Sequence, residues 1–567
     1  MSRPTLAPSM RSDGVEARDV LKCTLTLTID GTDYSVPGGQ IKALAISARG
    51  HGFSGSVEFV LADNTDLAGT YSDTLYDAFL GDALIALTLA IEAPLVDEEP
   101  TADATPLELS GLVTERSVIE HTITRTEGAN QYRWYELHFV DPAQMVWMQH
   151  FPCALYTEVT WQDVLDEHCG ELITMANDWS VLTEDQPHVF LGHEPGIGAA
   201  SFYDFVIWLA TTRGGYFTYD YAEGQYRLTG EKPEAGPETK LHAADVALVR
   251  LKLPMLSRHG VRLRNTYTEQ AETRELTPEA TARTIEGVTH DYLLRTPIAD
   301  HLDAREELEQ KRLDAVPGPV LHVGLKRWPT SALCPGAACP LSNKDFFLAA
   351  DRRLPALFSE ATTRVRSLQL TATTVAQELD ADYNNDRAAF SISGSVELEL
   401  EDEAAPPKIP YIPPSYPRLL EGKVVSEEGE DEDETYQIYE DEDTSIESHK
   451  VKIPLFEDKV ILVDFQPALT SGHFYFPAYK NARVLVAVEL DRAWLVRYLD
   501  WRAEARLPAE SQGNQILVGK TPQNGASLRH EYEDDQPVLR IKRTHDKDTQ
   551  LIEIAEGHLL IQVKEEE

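Results

Sequence analysis

The chain has 567 residues, of which 42% are hydrophobic and 26% charged, an ordinary globular balance with room for three or four domains. With 94 acidic against 51 basic residues the formal charge is −43, which excludes a nucleic acid or an anionic membrane as the main partner, because phosphate binding requires a basic face. Five cysteines in this length make no disulfide framework, and the chain reads as one synthesised in a reducing cytoplasm.

Residues 1–19 read as a flexible arm without the apolar core of a secretory signal, and no window reaches the length of a membrane span. From Lys22 the pattern turns to strand: CTLTLTID, KALAISARG, FSGSVEFVLAD, ALIALTLAIEA, LELSGLVTERSVIEH and YRWYELHFVD alternate apolar and polar positions. Six such runs over 20–141 predict a β-barrel, with the acidic stretch 96–106 as an exposed hairpin loop. Over 142–240 the pattern predicts an α+β module. Thr160 caps a helix carrying Trp161, Val164, Leu165 and His168, Ser201 caps a second helix ending at Gly214-Gly215, and GYFTYDY and QYRLTGEK follow as a strand pair.

Residues 241–403 predict a second barrel, with strands in VALVRLKL, HGVRLRNTYTE, TIEGVTHDYLLRT, TTRVRSLQLTATTV and RAAFSISGSVELELED. Two helical pieces, DAREELEQKRLDAV and KDFFLAADRRLPALF, interrupt it, and 315–342 around the cysteine pair reads as an irregular insertion. FSGSVEFVL at 53–61 and FSISGSVELEL at 390–400 are similar phrases and suggest a duplicated barrel. The stretch 404–417, with six prolines in 14 positions, is a semi-rigid linker. Five or six short strands over 418–510 predict an OB-like barrel, interrupted at 427–447 by a segment with 12 acidic residues in 21 that has little apolar periodicity to bury.

The end of the chain, 511–567, closes on QLIEIAEGHLLIQV. Ile552 and Ile554 share one face of a short strand, a turn falls at Glu556-Gly557, and Leu559, Ile561 and Val563 share a face of the next. An isolated hairpin is marginal in water, so this apolar face must pack on its own domain or on copies of itself, as in a three-chain β-prism. In the prism, Glu553 would face outward at little cost.

Chemistry is sparse. His188 and His193 lack the spacing of HExxH, and no GxSxG, Walker A or GxGxxG motif stands in a strand-to-helix setting. The acidic segment lacks the order of a calcium loop. Cys334 and Cys339 flank Pro335-Gly336, a spacing compatible with free thiols, a local disulfide or half a zinc site. Trp161 and Trp208 stand on helix stripes that suit either a core or a ligand groove. No catalytic residue, cofactor or metal ligand is assigned, and a structural or interaction protein ranks ahead of an enzyme.

The order barrel, α+β module, barrel, proline linker, OB-like barrel, terminal prism resembles the VgrG family, the spike proteins of type VI secretion and related contractile injection systems. The phrases that carry it are FSGSVEF (53–59), WQDVL (161–165), SFYDFVIWLATTRGGYFTYD (201–220), HKVKIPL (449–455), RVLVAVEL (483–490) and GNQILVGKTPQNGASLRHEY (513–532). Within the third, Ser201, Asp204, Phe205, Leu209, Gly215 and Phe217 fit the family's helix-then-hairpin pattern. The resemblance implies a mainly β fold with an α+β module, two hub barrels, an OB-like barrel and a trimeric β-prism. It further implies a homotrimer seated on an Hcp-like tube-ring protein, meeting baseplate proteins and carrying a PAAR-like tip protein at its C-terminal end. Such a protein assembles in the cytoplasm and leaves through the contractile apparatus without a signal peptide, puncturing target cells or delivering effectors. The acid-rich insertion, the short prism and the lack of a lysozyme or effector extension depart from the family's pattern. A phage spike of the same fold and a cell-wall glycan hydrolase are the alternatives.

Overall fold

The computed structural model describes residues 20–63, 72–93, 105–125, 128–242, 245–278, 283–341, 358, 361–383, 385–430, 435–442, 444–466, 472–502, 504–508, 510–521 and 523–565. The expected N-terminal arm, nearly all of the loop at 96–106 and all but Phe358 of the helix expected in KDFFLAADRRLPALF lie outside the described residues. The chain is mainly β and forms two compact units. The first takes its described residues from Met1–Phe151, Asp166–Val181 and Pro195–Pro413, the second from Pro152–Leu165, Leu182–Glu194 and Pro414–Glu567.

In the first unit a 13-stranded sheet contains strands from both predicted barrels. Eight strands close a ring. Ile41–Arg49 pairs with Gly52–Asp63, then come Gly128–Val140, Leu107–Arg125, Ile85–Glu92, Val20–Ile29, Arg387–Leu400 and Thr363–Thr374, which returns to the first. The same two late strands also run on beyond the ring. Arg387–Leu400 pairs at its far end with Val320–Leu325, which pairs with Val246–Lys252. The second barrel expected from sequence does not close among the described residues: two of its strands complete the single ring, and Val320–Leu325, expected within an irregular insertion, and Val246–Lys252 extend from it as an outer sheet.

The repeated phrases explain this arrangement. Ile46 lies opposite Leu370, at the centre of a local pseudo-twofold arrangement. Outward on one side follow Gly55, Phe139 and Val113, and on the other Gly394, Leu325 and Val246. Gly55 and Gly394 stand at matched positions because neither has room for a side chain. A Cβ on Gly55 would lie 2.7 Å from the Ala45 carbonyl oxygen, and one on Gly394 2.8 Å from that of Gln369. Alternation puts Leu44, Ile46, Val57, Phe59, Leu368, Leu370, Phe390 and Val396 into the buried layer.

The helix Phe202–Arg213 begins at a capping box: the Ser201 hydroxyl accepts from the Asp204 N–H at 3.3 Å, while the Asp204 carboxylate accepts from the Ser201 N–H at 2.9 Å. It ends at Gly214, whose φ of 78° is left-handed. The buried carboxylate of Asp141 ties three segments together, accepting from the Phe53 N–H at 3.0 Å, the Gln144 N–H at 3.1 Å and the Tyr226 hydroxyl. Burial nonetheless pushes its pKa above the usual carboxylate range.

Two assignments are corrected. Gly260–Asn265 and Thr289–Leu294, expected in the second barrel, form with Glu272–Leu276 a separate three-stranded sheet. Its apolar side, with Val261, Leu263 and Leu276, is covered by Leu302 and Leu313 of the helix Ala299–Asp314. The module expected over 142–240 is also divided. Its hairpin Cys153–Thr160 with Asp185–Gly192 belongs to the second unit, where Leu155 and Phe190 join the barrel core. The helix capped by Thr160 runs only from Trp161 to Glu167 and stops short of His168.

In the second unit five strands close a small barrel: Arg418–Val425, Glu447–Ile453, Lys459–Phe465, Ala493–Tyr498 and Arg483–Val488, which pairs back to the first. Val424, Val451, Ile461, Val463, Val484 and Val486 fill it. His449 is buried there as well. Its Nε2 accepts the Ala478 N–H at 3.1 Å, so the proton sits on Nδ1, 3.0 Å from the Gln437 carbonyl oxygen. The acidic segment is thus tied to the barrel core at its middle, through the backbone of Gln437.

Burial holds the His449 pKa below its ordinary 6.5. The unfolded chain then binds the extra proton more readily than the folded one. Its contribution to barrel stability is complete above about pH 6.5 and is lost as pH falls through the lower folded value. Denaturant titrations at pH 7.5 and 5.5 are expected to show a steeper acid loss in the wild type than in His449→Gln.

The C-terminal sheet as a candidate assembly site

The last five strands, Gly513–Thr521, Asn524–Glu533, Gln536–His545, Asp548–Ala555 and His558–Lys564, form an antiparallel meander. Its turns are local in origin. Asp534 and Asp535 both take positive φ, 48° and 62°, as a two-residue type I′ hairpin requires. Gly557, with φ of 76°, completes the expected turn between Ala555 and His558.

Register sorts the side chains onto two faces. One row of directly opposed residues is Ile516, Leu528, Ile541, Ile552 and Ile561. Beside it, Leu539, Ile554 and Leu559 make a second row, and Val518, Ala526, Arg543, Gln550 and Val563 a third. Ile552, Ile554, Leu559, Ile561 and Val563, the residues named from sequence, therefore lie on one continuous face. All five are exposed in the single chain, Ile561 to 70% and Val563 to 64%. Single exposed apolar side chains are ordinary, but a contiguous sheet face of them marks a contact surface. Ile516, Val518, Leu528 and Ile541, which sequence reading left unassigned, extend the face; for Ile516, Val518 and Ile541 the alternation in GNQILVGKT and QPVLRIKRTH was the available signal.

The opposite face is built to stay in water. Arg529 and Arg540 face each other across two strands, an arrangement that repels unless a carboxylate intervenes. Glu531 supplies it, contacting Arg529 at 2.5 Å and also Arg540. Arg540 further reaches Glu533 at 2.6 Å and Glu553 at 2.7 Å. Burial alone would lower the Arg540 pKa, but the bonds to Glu553 and Glu533 outweigh it and hold the group above its ordinary value. The Arg540 bond, then that of His558 at 3.3 Å, holds the Glu553 carboxyl below its usual range. Glu553 does lie on the polar face, as expected, but it is engaged, so its substitution is not silent.

The remaining candidates are structural. Burial lowers the pKa of His188, and His193 is buried too, its N–H bonded to the Pro152 carbonyl at 3.0 Å. Trp161 is buried among core residues, and the Trp208 ring lies 6.1 Å from that of Phe205. Cys334 and Cys339 are free thiols, both pushed up to about 12 by burial, so neither the disulfide nor a reactive thiolate is present. Among the described residues, no three His, Cys, Asp or Glu side chains are grouped to hold a metal ion, and no helix is long and apolar enough to cross a membrane.

No protein-family description matches the sequence, and no curated protein matches it. Solved structures do. A chain of the lidless PdpA–VgrG complex is similar over 96% of this chain and 99% of its own length, at 11% identity and a TM-score of 0.72. A chain of the lidded Francisella PdpA–VgrG complex matches over 96% of this chain and 80% of its own, also at 11% identity and a TM-score of 0.72. The half-lidded form gives 12% identity over 96% and 88%, again with a TM-score of 0.72. The chain thus has a VgrG-like fold.

The polar network is expected to hold the tail sheet's twist and register. Arg540→Met leaves Glu531, only 9% exposed, with Arg529 alone and should destabilise the sheet by up to about 1 kcal/mol. Hydrogen exchange across 524–555 would report this as faster exchange with the barrel strands unchanged.

Proposed function

We propose that this chain is a structural hub-and-spike protein at the tip of a contractile injection machine, and that it works as a homotrimer. The observation that carries the reading is the exposed apolar face of the C-terminal sheet. A five-stranded meander with one aliphatic face uncovered cannot be at its free-energy minimum in water, since each side chain fully buried contributes roughly 1.5–3 kcal/mol. Three copies with these faces turned to a common axis would bury them and leave the Arg540 networks outside. The VgrG-like fold supports the same reading, as does the presence of VgrG in the complexes that contain its structural neighbours.

On this reading the first unit is the hub, seated on an Hcp-like tube ring and contacting the baseplate. The closed five-stranded barrel is the OB-like module, and the meander is the prism spike, whose far end takes a PAAR-like tip. The machine delivers effectors or punctures the target. The protein does no chemistry of its own, needs no signal peptide, and is assembled in the cytoplasm before export.

Light scattering at micromolar protein is expected to give three times the chain mass of 63.3 kDa. Ile561→Asp would set three carboxylates near one axis without partners. It should fall toward the monomer mass on dilution well before the wild type does, and become open to proteolysis after about Gly519. Gln562→Lys, on the opposite and exposed face, should do neither. A wild-type monomer, or equal behaviour of the two variants, would remove the basis for the spike.

A further inference from the structure

We propose that His150 and His168 form an acid-operated clasp at the base of the excursion that the chain makes into its second unit. The two rings face each other, with His150 Nε2 2.9 Å from His168 Nδ1. The chain leaves the first unit after Phe151 and comes back at Asp166, so one member stands just before the exit and the other just after the return. Among the described residues no strand pairing joins their segments. The pair also anchors a third stretch of chain. Phe202 opens the helix that follows the next return, at Pro195. Its ring lies 5.6 Å from that of His150 and 4.6 Å from that of His168, and its N–H donates to the His150 carbonyl at 2.8 Å. The His168 carbonyl in turn accepts the Trp147 indole N–H at 2.8 Å.

A bond between two imidazoles needs one proton on the line between the facing nitrogens. With the pair uncharged, or with one extra proton on an outer nitrogen, the bond stands. When both rings have taken a proton from solvent, two N–H groups confront each other and two like charges lie side by side, so the bond is lost. The pair titrates as a unit, and the second proton opens it. The helix Pro142–Trp147 carries no charged side chain, and its cap Asp141 is bonded to Phe53, Gln144 and Tyr226. On the helix Trp161–Glu167 stand Asp163, held by Thr160, and the exposed Asp166 and Glu167. On the helix Phe202–Arg213 stand Asp204, within the capping box, and Arg213 in the last turn. Cys169, next to His168, is a neutral thiol pushed up to about 11 by burial. Burial, and not a charged neighbour, holds the His150 pKa below its ordinary 6.5. Both rings are half-buried, so solvent protons reach them. The unfolded chain then takes the second proton more readily than the folded one. The clasp's contribution is complete above about pH 6.5 and is lost as pH falls through the lower folded value.

Hydrogen exchange on the full chain, corrected for the intrinsic effect of pH, tests the clasp. Between about pH 7.5 and about pH 5, peptides covering 147–151 and 202–206 are expected to lose protection at least about tenfold, while the ring strand Ile41–Arg49 keeps its own. The side chain of His168→Gln cannot become a cation, so protection of the same segments in that variant should not change with pH, at whatever level it starts. His150→Gln should behave likewise, and it replaces the first variant if that one misfolds. A wild type whose 202–206 amides are equally protected at both pH values overturns the clasp. Acid loss as large in the glutamine variants as in the wild type also overturns it, because the sensor is then another group, such as the buried Asp141 carboxylate. Neither result bears on the trimer, since the clasp needs no second copy of the chain.

Discussion

Everything in the first unit depends on one ladder, the antiparallel pairing of Thr363–Thr374 with Arg387–Leu400. These strands are long enough that one end closes the eight-stranded ring and the other starts the outer sheet. A barrel has no free edges, and a sheet that leaves a barrel must borrow a strand to do so. Because both cores hang on the same backbone hydrogen bonds, neither half can shift register alone. A one-residue slip would turn Leu368, Leu370, Val396 and Leu398 toward solvent in both at once.

Two buried polar groups each hold separate segments together. Asp141 joins the strand beginning at Gly52, the helix Pro142–Trp147 and Tyr226. His449 joins the barrel wall to the backbone at Gln437 and Ala478. A buried carboxylate with its bonds fully taken, or an imidazole with both nitrogens committed, has nothing left with which to do chemistry. The molecule's informative features lie at or near its surfaces: an aliphatic sheet face, a half-buried histidine pair, and charge of one sign over most of the rest.

The C-terminal sheet divides its two faces by function. The ion-pair network around Arg540 stays in water, where such pairs contribute little to stability but hold geometry. Among the described residues the aliphatic face has no partner within the chain, and the net charge of −43 repels copies from one another wherever no specific fit offsets it.

Local pattern was enough to read much of this chain. Alternation located most strands of the large sheet, the capping residues Thr160 and Ser201 marked helix starts, and Glu556-Gly557 marked the last turn, because each is decided by residues within a few positions. The five residues from Ile552 to Val563 were legible as apolar faces for the same reason. Long-range pairing was not legible. Nothing local distinguishes Gly260–Asn265, which builds its own sheet, from Val320–Leu325, which joins the large one. The hairpin at 153–160 and 185–192 escaped notice because its second strand ends in a continuous buried run rather than an alternation. The sequence by itself determined which residues are apolar on which side of each strand, since that period is fixed by backbone geometry. Only the tertiary structure decided which strands meet, that two of them serve both the ring and the outer sheet, and that the rows through Ile552 and Ile554 lie side by side on one uncovered face. Strand partners are chosen by the summed burial and hydrogen bonding of residues hundreds of positions apart, a sum that no local window contains.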